Sequence, residues 1–145
     1  MHIEIRGEAF EPYQELQTYQ QGMQADGQYG ATAVFVGTMR DMNEGDDVTG
    51  MSLEHYPGMT ENYLLTISRK AAQRWSLIDS LIIHRVGELR PNDPIVLVAV
   101  WSAHRKDAFE ASRYLMEELK SGAPFWKKEF LADGQRWVQH NTPGR

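Results

Sequence analysis

Polar and basic side chains follow a strongly apolar segment of the chain and could bind a small anion. The segment Ser102-Ala103-His104-Arg105 links a predicted strand to the start of a predicted helix. Free backbone N–H groups at a helix start, together with the helix dipole, attract anions. His104 and Arg105 would complete such a site; alternatively, Ser102 caps the helix and His104 is a solvated residue of its first turn.

A second candidate for anion binding lies at the end of another predicted strand, in Val36-Gly37-Thr38-Met39-Arg40. A glycine at a strand end allows a ligand to approach the backbone closely. The planar guanidinium of Arg40 matches the geometry of a phosphate or a carboxylate. The alternative interpretation is a strand end that carries one exposed arginine.

The third candidate is the segment 125–130, with the sequence F-W-K-K-E-F. In a strand, Lys127 projects on the same side as Phe125 and Glu129, and Lys128 projects on the other side. A lysine against an apolar surface loses part of its preference for the charged form, which suits acid–base or carbonyl chemistry. The alternative is an edge strand whose lysines guard against aggregation.

No metal site is predicted from the sequence. His55 and His84 lie on different predicted strands, and neither belongs to an H-x-H or H-x-x-x-H pair. Packed histidines are therefore the favoured interpretation. The phosphate-binding and nucleophile motifs G-x-x-x-x-G-K-[ST], G-x-G-x-x-G and G-x-S-x-G are also missing from the sequence.

The distribution of charge favours a small anionic ligand over a nucleic acid. The 145 residues include 15 Lys and Arg against 20 Asp and Glu, for a net charge of −5. Domains that coat nucleic acids are usually basic overall. Residues 101–128 nevertheless carry six Lys and Arg against four Asp and Glu. A local basic region on an acidic chain suits a small anion.

Composition narrows the class of protein further. The sequence has no cysteine, which excludes a disulfide scaffold, a cysteine zinc site, a thiolate nucleophile and a persulfide on the chain. The first residues alternate charged and apolar types, unlike a signal peptide. The longest apolar run, residues 95–101, is too short to span a bilayer. We therefore expect one cytoplasmic domain over residues 1–145 and no contact with a membrane.

The order of predicted elements indicates an α+β domain with a mixed or antiparallel sheet, two long helices and a C-terminal hairpin. Polar residues 41–47 are expected to form a mobile loop. Thr60 is the expected N-cap of the second helix. Strands are predicted at residues 2–6, 31–38, 49–56, 80–86 and 95–101, helices at 12–23, 60–75 and 106–120, and a hairpin from 124–131 and 135–139. The wholly apolar segment 95–101 is expected to be a central strand.

His104 and Lys120 bracket the third predicted helix. Sixteen residues at a rise of ~1.5 Å place them roughly 24 Å apart. They cannot contact the same small substrate within one subunit unless the helix breaks. If both are functional, either a second subunit contributes to the site or there are two separate subsites; we expect a dimer with shared sites.

Several motifs, in a fixed order, resemble those of the large, catalytic subunit of molybdopterin synthase, the MoaE family. The most specific are L-E-H-Y-P-G-M at residues 53–59 and P-F-W-K-K-E at residues 124–129. The other matching segments are 35–40 with Asn43 and Gly45, 83–87, 102–105, 109–111 and Ala123. The resemblance covers about residues 31–138 and is strongest there.

The resemblance implies an α/β-hammerhead-like fold and a sulfurtransferase reaction. Members of the family convert cyclic pyranopterin monophosphate (precursor Z) into molybdopterin by forming its dithiolene. The sulfur arrives as a thiocarboxylate on the C-terminal glycine of a small ubiquitin-like partner, MoaD, so no cofactor is implied. The partner's tail enters a pocket of the large subunit, and two large subunits form the centre of a heterotetramer.

The resemblance also implies roles for individual residues. Lys120 and Lys127 match the catalytic lysines: we expect Lys120 to transfer protons on the pterin side chain and Lys127 to neutralise and orient the thiocarboxylate. The remaining matched positions are expected to hold the substrate or flank its pocket: Thr38, Met39, Arg40, His104, Arg105, Lys128 and Glu129.

One departure from the family pattern and two alternative functions accompany this interpretation. The tail, residues 139–145, is short, and either His140 or Arg145 would have to replace the basic contact that longer relatives make with a neighbouring subunit. The first alternative is a non-catalytic adaptor that only grips the tail of a ubiquitin-like protein. The second is a phosphate-ester hydrolase or transferase with His104 as acid and base, which needs a nucleophile or metal that no motif supplies.

Overall fold

The computed structural model describes residues 1–138. The predicted roles of His140 and Arg145 lie outside the described residues. Nine strands and three helices follow one another in this part of the chain. They are β1 (His2–Arg6), α1 (Pro12–Gly22), β2 (Ala31–Thr38), β3 (Met42–Asn43), β4 (Asp46–His55), α2 (Met59–Trp75), β5 (Asp79–Arg85), β6 (Gly87–Leu89), β7 (Pro94–Ser102), α3 (Arg105–Gly122), β8 (Phe125–Leu131) and β9 (Gly134–Val138).

The first sheet has the strand order β1-β5-β7-β2, with β1 parallel to β5 and the other pairs antiparallel. The central position predicted for residues 95–101 is confirmed, because β7 lies between β5 and β2. Alternate residues of β7 face opposite layers: Val96, Val98 and Val100 pack with α2 and α3, whereas Leu97 and Trp101 pack with residues of α1. Burial on both faces explains why the strand is apolar throughout.

The second sheet is antiparallel, with the order β3-β4-β8-β9 and β6 paired to β4. The predicted C-terminal hairpin is confirmed as β8 and β9. A small cluster of buried side chains forms the core beside this sheet: Met39, Val48, Met51, Leu53 and Leu89. Because Met39 directly follows β2, this cluster joins the end of the first sheet to the second sheet. The α+β class with a mixed sheet is thereby confirmed.

Residues 41–47, predicted as a loop, instead form most of a short hairpin. Strand β3 pairs with the first residues of β4, Asn43 opposite Asp46. The two turn residues, Glu44 and Gly45, have φ of 54° and 82°. A type I′ hairpin turn needs positive φ at both central positions, and a glutamate at the first of them gives no recognisable sequence signal. The prediction of a loop without strands is therefore wrong, whereas its mobility stays a prediction.

The second helix begins one residue earlier than predicted, and its cap is not Thr60. Gly58 precedes the helix with φ of 85°, and its N–H donates to Glu61 Oε1 at 3.1 Å. Thr60 is buried inside the first turn, where its hydroxyl accepts a hydrogen bond from the N–H of Tyr56 (3.1 Å) and donates to the carbonyl of Pro124 (3.2 Å). Thr60 thus ties α2 to the segment before β8.

None of the helices within residues 1–138 is long and apolar enough to cross a membrane. The cytoplasmic location stays a prediction.

Candidate active site

A polar cavity of about 140 Å³ opens where the end of β2, the end of α3 and the second sheet meet. Of the nine site residues predicted from the sequence, five line it together: Thr38, Arg40, Lys120, Lys127 and Glu129. The other lining residues are Met42, Asn43, Met51 and Val138. Three cations and one carboxylate therefore converge on one small space. Such a space suits an anion of the size of a phosphate or a carboxylate.

Each of these side chains has a rigid element behind it. Thr38 ends β2, and the backbone of the next residue, Met39, is tied to the turn before β7 by hydrogen bonds with Asn92 and Asp93 of 2.9 Å each. Arg40 follows directly. Lys120 lies in the last turn of α3, and Lys127 lies on β8. A short connection from α3 to β8 brings the two lysines to the same cavity.

The two lysines are buried enough to have altered acidity. Burial, with a smaller contribution from the positive charge of Lys127, lowers the pKa of Lys120 to about 8. Burial also lowers the pKa of Lys127, against the opposing effect of Glu129, while Arg40 contributes to the lowering. A cation beside an apolar wall and another cation releases its proton more readily than an ordinary lysine. Lys120 can therefore exchange protons near neutral pH, and Lys127 releases its proton more readily than an exposed lysine does.

A second, smaller cavity of about 30 Å³ shares the side chains of Lys120 and Lys127. Its other walls are apolar except for His84, whose ring stacks on Phe125 with 3.9 Å between centroids. The Nδ1 atom of His84 lies 2.7 Å from the carbonyl oxygen of Arg85. Since a carbonyl can only accept, Nδ1 carries the hydrogen in this geometry. Burial lowers the pKa of His84 to about 3, so the ring is neutral at pH 7.

Glu129 lines the cavity with its charge already matched. Its side chain is almost completely buried. Oε1 accepts a hydrogen bond from Nε of Arg136 (2.9 Å), and Oε2 accepts one from Nδ2 of Asn43 (3.0 Å). Both carboxylate oxygens thus have protein donors, so Glu129 is held in place as part of the cavity wall.

His104 and Arg105 lie at the opposite end of α3 from Lys120. Helix α3 is unbroken from Arg105 to Gly122, with His104 as its N-cap and no side-chain hydrogen bond at the cap. The predicted separation of roughly 24 Å along the axis therefore applies. Within one chain these two residues do not reach the cavity. The hydroxyl of buried Ser102 donates to the carbonyl of His104 (3.1 Å) and accepts from the N–H of the same residue (3.3 Å).

Two further predicted residues lie away from the cavity lining. Met39 is 5% exposed and packs in the cluster beside the second sheet, because it points away from its neighbours Thr38 and Arg40. Lys128 follows Lys127 on β8 and projects to the other face, where its Nζ lies 5.3 Å from the ring centroid of Trp137. Neither side chain lines this cavity in one chain, and their part in substrate binding stays a prediction.

Sequence reasoning also missed residues of this region. Asn43 appeared only within a matched motif, and His84 was interpreted as packed without a link to the lysines. Arg136, which holds Glu129, had no sequence signal. Within residues 1–138, His, Asp and Glu side chains form no group of three or more that could hold a metal ion.

Sequence comparisons with known proteins point to one family. A family described as MoaE protein matches residues 8–122. The molybdopterin synthase catalytic subunit of Ralstonia nicotianae is 62% identical over 111 residues, which are 77% of this chain and 63% of that protein. The protein of the same description from Pseudomonas aeruginosa is 50% identical over 139 residues, 96% of this chain and 91% of that protein.

Solved structures show the same fold. The crystal structure of molybdopterin synthase from Staphylococcus aureus matches this chain with a TM-score of 0.84. The two chains are 34% identical, and the match covers 94% of this chain and 96% of that chain. A complex of subunits 1 and 2 of molybdopterin-converting factor from Helicobacter pylori has a TM-score of 0.80 at 22% identity, covering 97% and 92% of the two chains, and supports the fold alone. The family match and the identity over nearly the whole chain show that this chain belongs to the MoaE family.

Proposed function

We propose that this chain is the catalytic subunit of a molybdopterin synthase. It would transfer sulfur from the thiocarboxylated C-terminus of a small ubiquitin-like partner to cyclic pyranopterin monophosphate and so form the dithiolene of molybdopterin. The observation that carries the proposal is the convergence of Lys120, Lys127 and Arg40 on one cavity of an otherwise acidic chain. Relatives that share half or more of the matched sequence carry that description.

The lowered pKa of Lys120 gives it a role in proton transfer. With a pKa of about 8, roughly one Lys120 side chain in ten is neutral at pH 7. For an ordinary lysine with a pKa of 10.5 the fraction is about 300-fold smaller. Lys120 would therefore take and return protons on the pterin side chain as sulfur adds and the phosphate ester leaves.

Lys127 would act on the sulfur donor. Its ammonium shares the cavity with Lys120 and Arg40, and it lies on a strand, which keeps its position fixed. A positive charge there neutralises the thiocarboxylate and holds its sulfur near the attacked carbon. Because the sequence contains no cysteine, the chain offers no thiol of its own as sulfur carrier. This supports delivery of the sulfur by the partner.

The reaction is tested with the purified chain, thiocarboxylated partner and precursor. We expect the dithiolene product from the wild type, and a loss of about 10²-fold or more for Lys120→Ala and for Lys127→Ala. Lys70→Ala, at an exposed position on α2, is the matched control and should keep its rate. Full conversion by both cavity variants would contradict the assigned roles. If the wild type binds the partner's tail but forms no dithiolene, the alternative of a non-catalytic adaptor would be favoured.

We also propose that two copies of the chain share their sites, within a heterotetramer. His104 and Arg105 are exposed, and they stand at a helix start whose N–H groups attract anions. The unbroken α3 keeps them from the cavity of their own chain, so a second copy would have to supply them to the substrate. The substrate phosphate would then contact Arg40 of one chain and His104 of the other.

Subunit mixing tests the shared site. Lys120→Ala and His104→Ala chains, each impaired alone, should regain activity when mixed, because one site of each mixed dimer has all its residues. A mixture of Lys120→Ala with Lys127→Ala is the control, since both residues belong to one cavity and no intact site can form. Equal recovery in both mixtures, or none in the first, would contradict sharing.

A further inference from the structure

The Arg136 side chain joins two hairpins at the rim of the candidate active site. Its Nε donates to Glu129 Oε1 (2.9 Å), its Nη1 to Asp46 Oδ2 (2.7 Å) and its Nη2 to the carbonyl oxygen of Asn43 (2.9 Å). The Nη1 atom also lies 3.7 Å from Glu44 Oε2. One side chain of β9 thus bonds to β8 and to the hairpin of β3 and β4.

That hairpin has few other attachments in the described part of the chain. Strands β3 and β4 pair through two residue pairs, and the pairing of β4 with β8 begins only at Val48, after the hairpin. The N–H of Val48 donates to the carbonyl of Asp41 at 2.8 Å and closes the base of the hairpin. Beyond this base, Arg136 and the bond from Asn43 to Glu129 hold the tip of the hairpin.

The same hairpin and the residues before it form one wall of the cavity. Arg40, Met42 and Asn43 line the cavity from this side, together with Lys127 and Glu129 on β8. We propose that Arg136 is a positioning residue: by bonding Asp46 and the backbone of Asn43, it holds the hairpin so that Arg40 and Asn43 stay in the cavity that contains Lys127. The inference rests on the proposed function and assigns a task to residues 41–47.

Arg136 also controls what Glu129 can bind. With Arg136 gone, Oε1 of a buried carboxylate would lose its donor inside a cavity that contains Lys127. Burying an unpaired carboxylate is costly, so Glu129 would turn to the Lys127 ammonium. The other charged or titratable groups near Lys127 are Lys120 on α3, Arg40 after β2, and the neutral His84 on β5. A direct pair with Glu129 would hold the proton on Lys127 more tightly.

Kinetics with the complete system separate these two effects. Arg136→Ala should raise the KM for the precursor about tenfold or more, with a smaller change in kcat, and should move the pH–rate profile to higher pH. Adding Glu129→Gln to Arg136→Ala should return the profile toward that of the wild type and leave the KM high. Arg136→Lys keeps the positive charge but lacks the planar guanidinium, so its KM should lie between those of the wild type and Arg136→Ala. A wild-type KM and profile for Arg136→Ala would overturn the proposal.

Hydrogen exchange tests the attachment without relying on activity. In Arg136→Ala the amides of residues 41–48 should exchange about tenfold faster or more, while those of β5 and β7 stay protected. Arg113→Ala is the matched control, because it removes an exposed arginine that lies 3.9 Å from Glu117 on α3. Unchanged exchange in the hairpin would overturn the proposal. A wild type that makes no product would instead refute the proposed function, whatever the hairpin does.

Discussion

Replacing Lys120 by methionine should abolish activity and, at the same time, stabilise the protein. Burial lowers the pKa of this lysine from 10.5 to about 8, with a smaller contribution from the charge of Lys127. Folding therefore disfavours its charged form. Methionine has a similar length and no charge, so it fills the same space without that cost.

The sign and size follow from proton binding. Between pH 8 and 10.5 the unfolded chain keeps the proton on Lys120 and the folded chain releases it, so the stability of the wild type rises with pH in this window. Below pH 8 the folded chain bears the full free-energy cost of burying the charged Lys120. A pKa of about 8 in place of 10.5 corresponds to about 3 kcal/mol, at 1.36 kcal/mol per pKa unit. We expect Lys120→Met to gain about 1 to 3 kcal/mol at pH 7.

Urea unfolding at pH 7, 9 and 10.5 measures the effect. The free energies of unfolding of Lys120→Met and wild type should converge as the pH rises, while the rate of dithiolene formation falls by about 10²-fold or more. Lys70→Met, at an exposed position, should stay within about 0.5 kcal/mol of the wild type. A less stable Lys120→Met at pH 7, or a difference that does not change with pH, would refute the reasoning.

Three other perturbations probe the cavity, the buried His84 beside it, and a close backbone contact at the opposite end of α3. Lys127→Met should raise the pKa of Lys120 only part of the way from about 8 toward 10.5, because burial is the larger cause of the lowering. An NMR titration of labelled dimethyl-lysine checks this, and a full return to 10.5 would contradict it. The wild type should lose stability as the pH falls from 6.5 toward 3, because His84 binds a proton in the unfolded chain and stays neutral in the folded one. Acid unfolding of His84→Phe should lack this part of the loss. Gly30→Ala should lower the free energy of unfolding in urea by about 1 to 3 kcal/mol, because the added Cβ would lie 2.5 Å from the carbonyl oxygen of Ala103. An unchanged free energy of unfolding would show that the backbone moves there without cost.

Much of the fold could be predicted because it follows from local patterns. The apolar run of β7 indicates a central strand, and Asp133-Gly134 marks the turn of the last hairpin. The start of α2 and the β3–β4 hairpin were missed for a physical reason. Thr60 bonds to Pro124, far along the chain, and Glu44 takes a positive φ that its residue type does not indicate.

The candidate site, like the fold, was predicted where local patterns determine it and missed where distant segments meet. Strand alternation alone puts Lys127 on the side of Phe125, and both line the smaller cavity. It does not tell which helix or hairpin faces that side. Lys120 was therefore assigned by resemblance, and Arg136 was missed because its partners come from distant segments. Met39 was misplaced because the matched segment around it mixes cavity residues with a buried one.

The assembly of the cavity from distant segments has a consequence for folding. Asn43 and Glu129, which bond across the cavity wall, are 86 positions apart, and Arg136 and Asp46 are 90 positions apart. Contacts between such distant positions close large loops, and proteins rich in them fold slowly. Helical signal should therefore return early in refolding, and the ability to bind anions should return last. Enzyme activity would report completion of the whole fold, and a partly folded chain would be inactive however much of its secondary structure had formed.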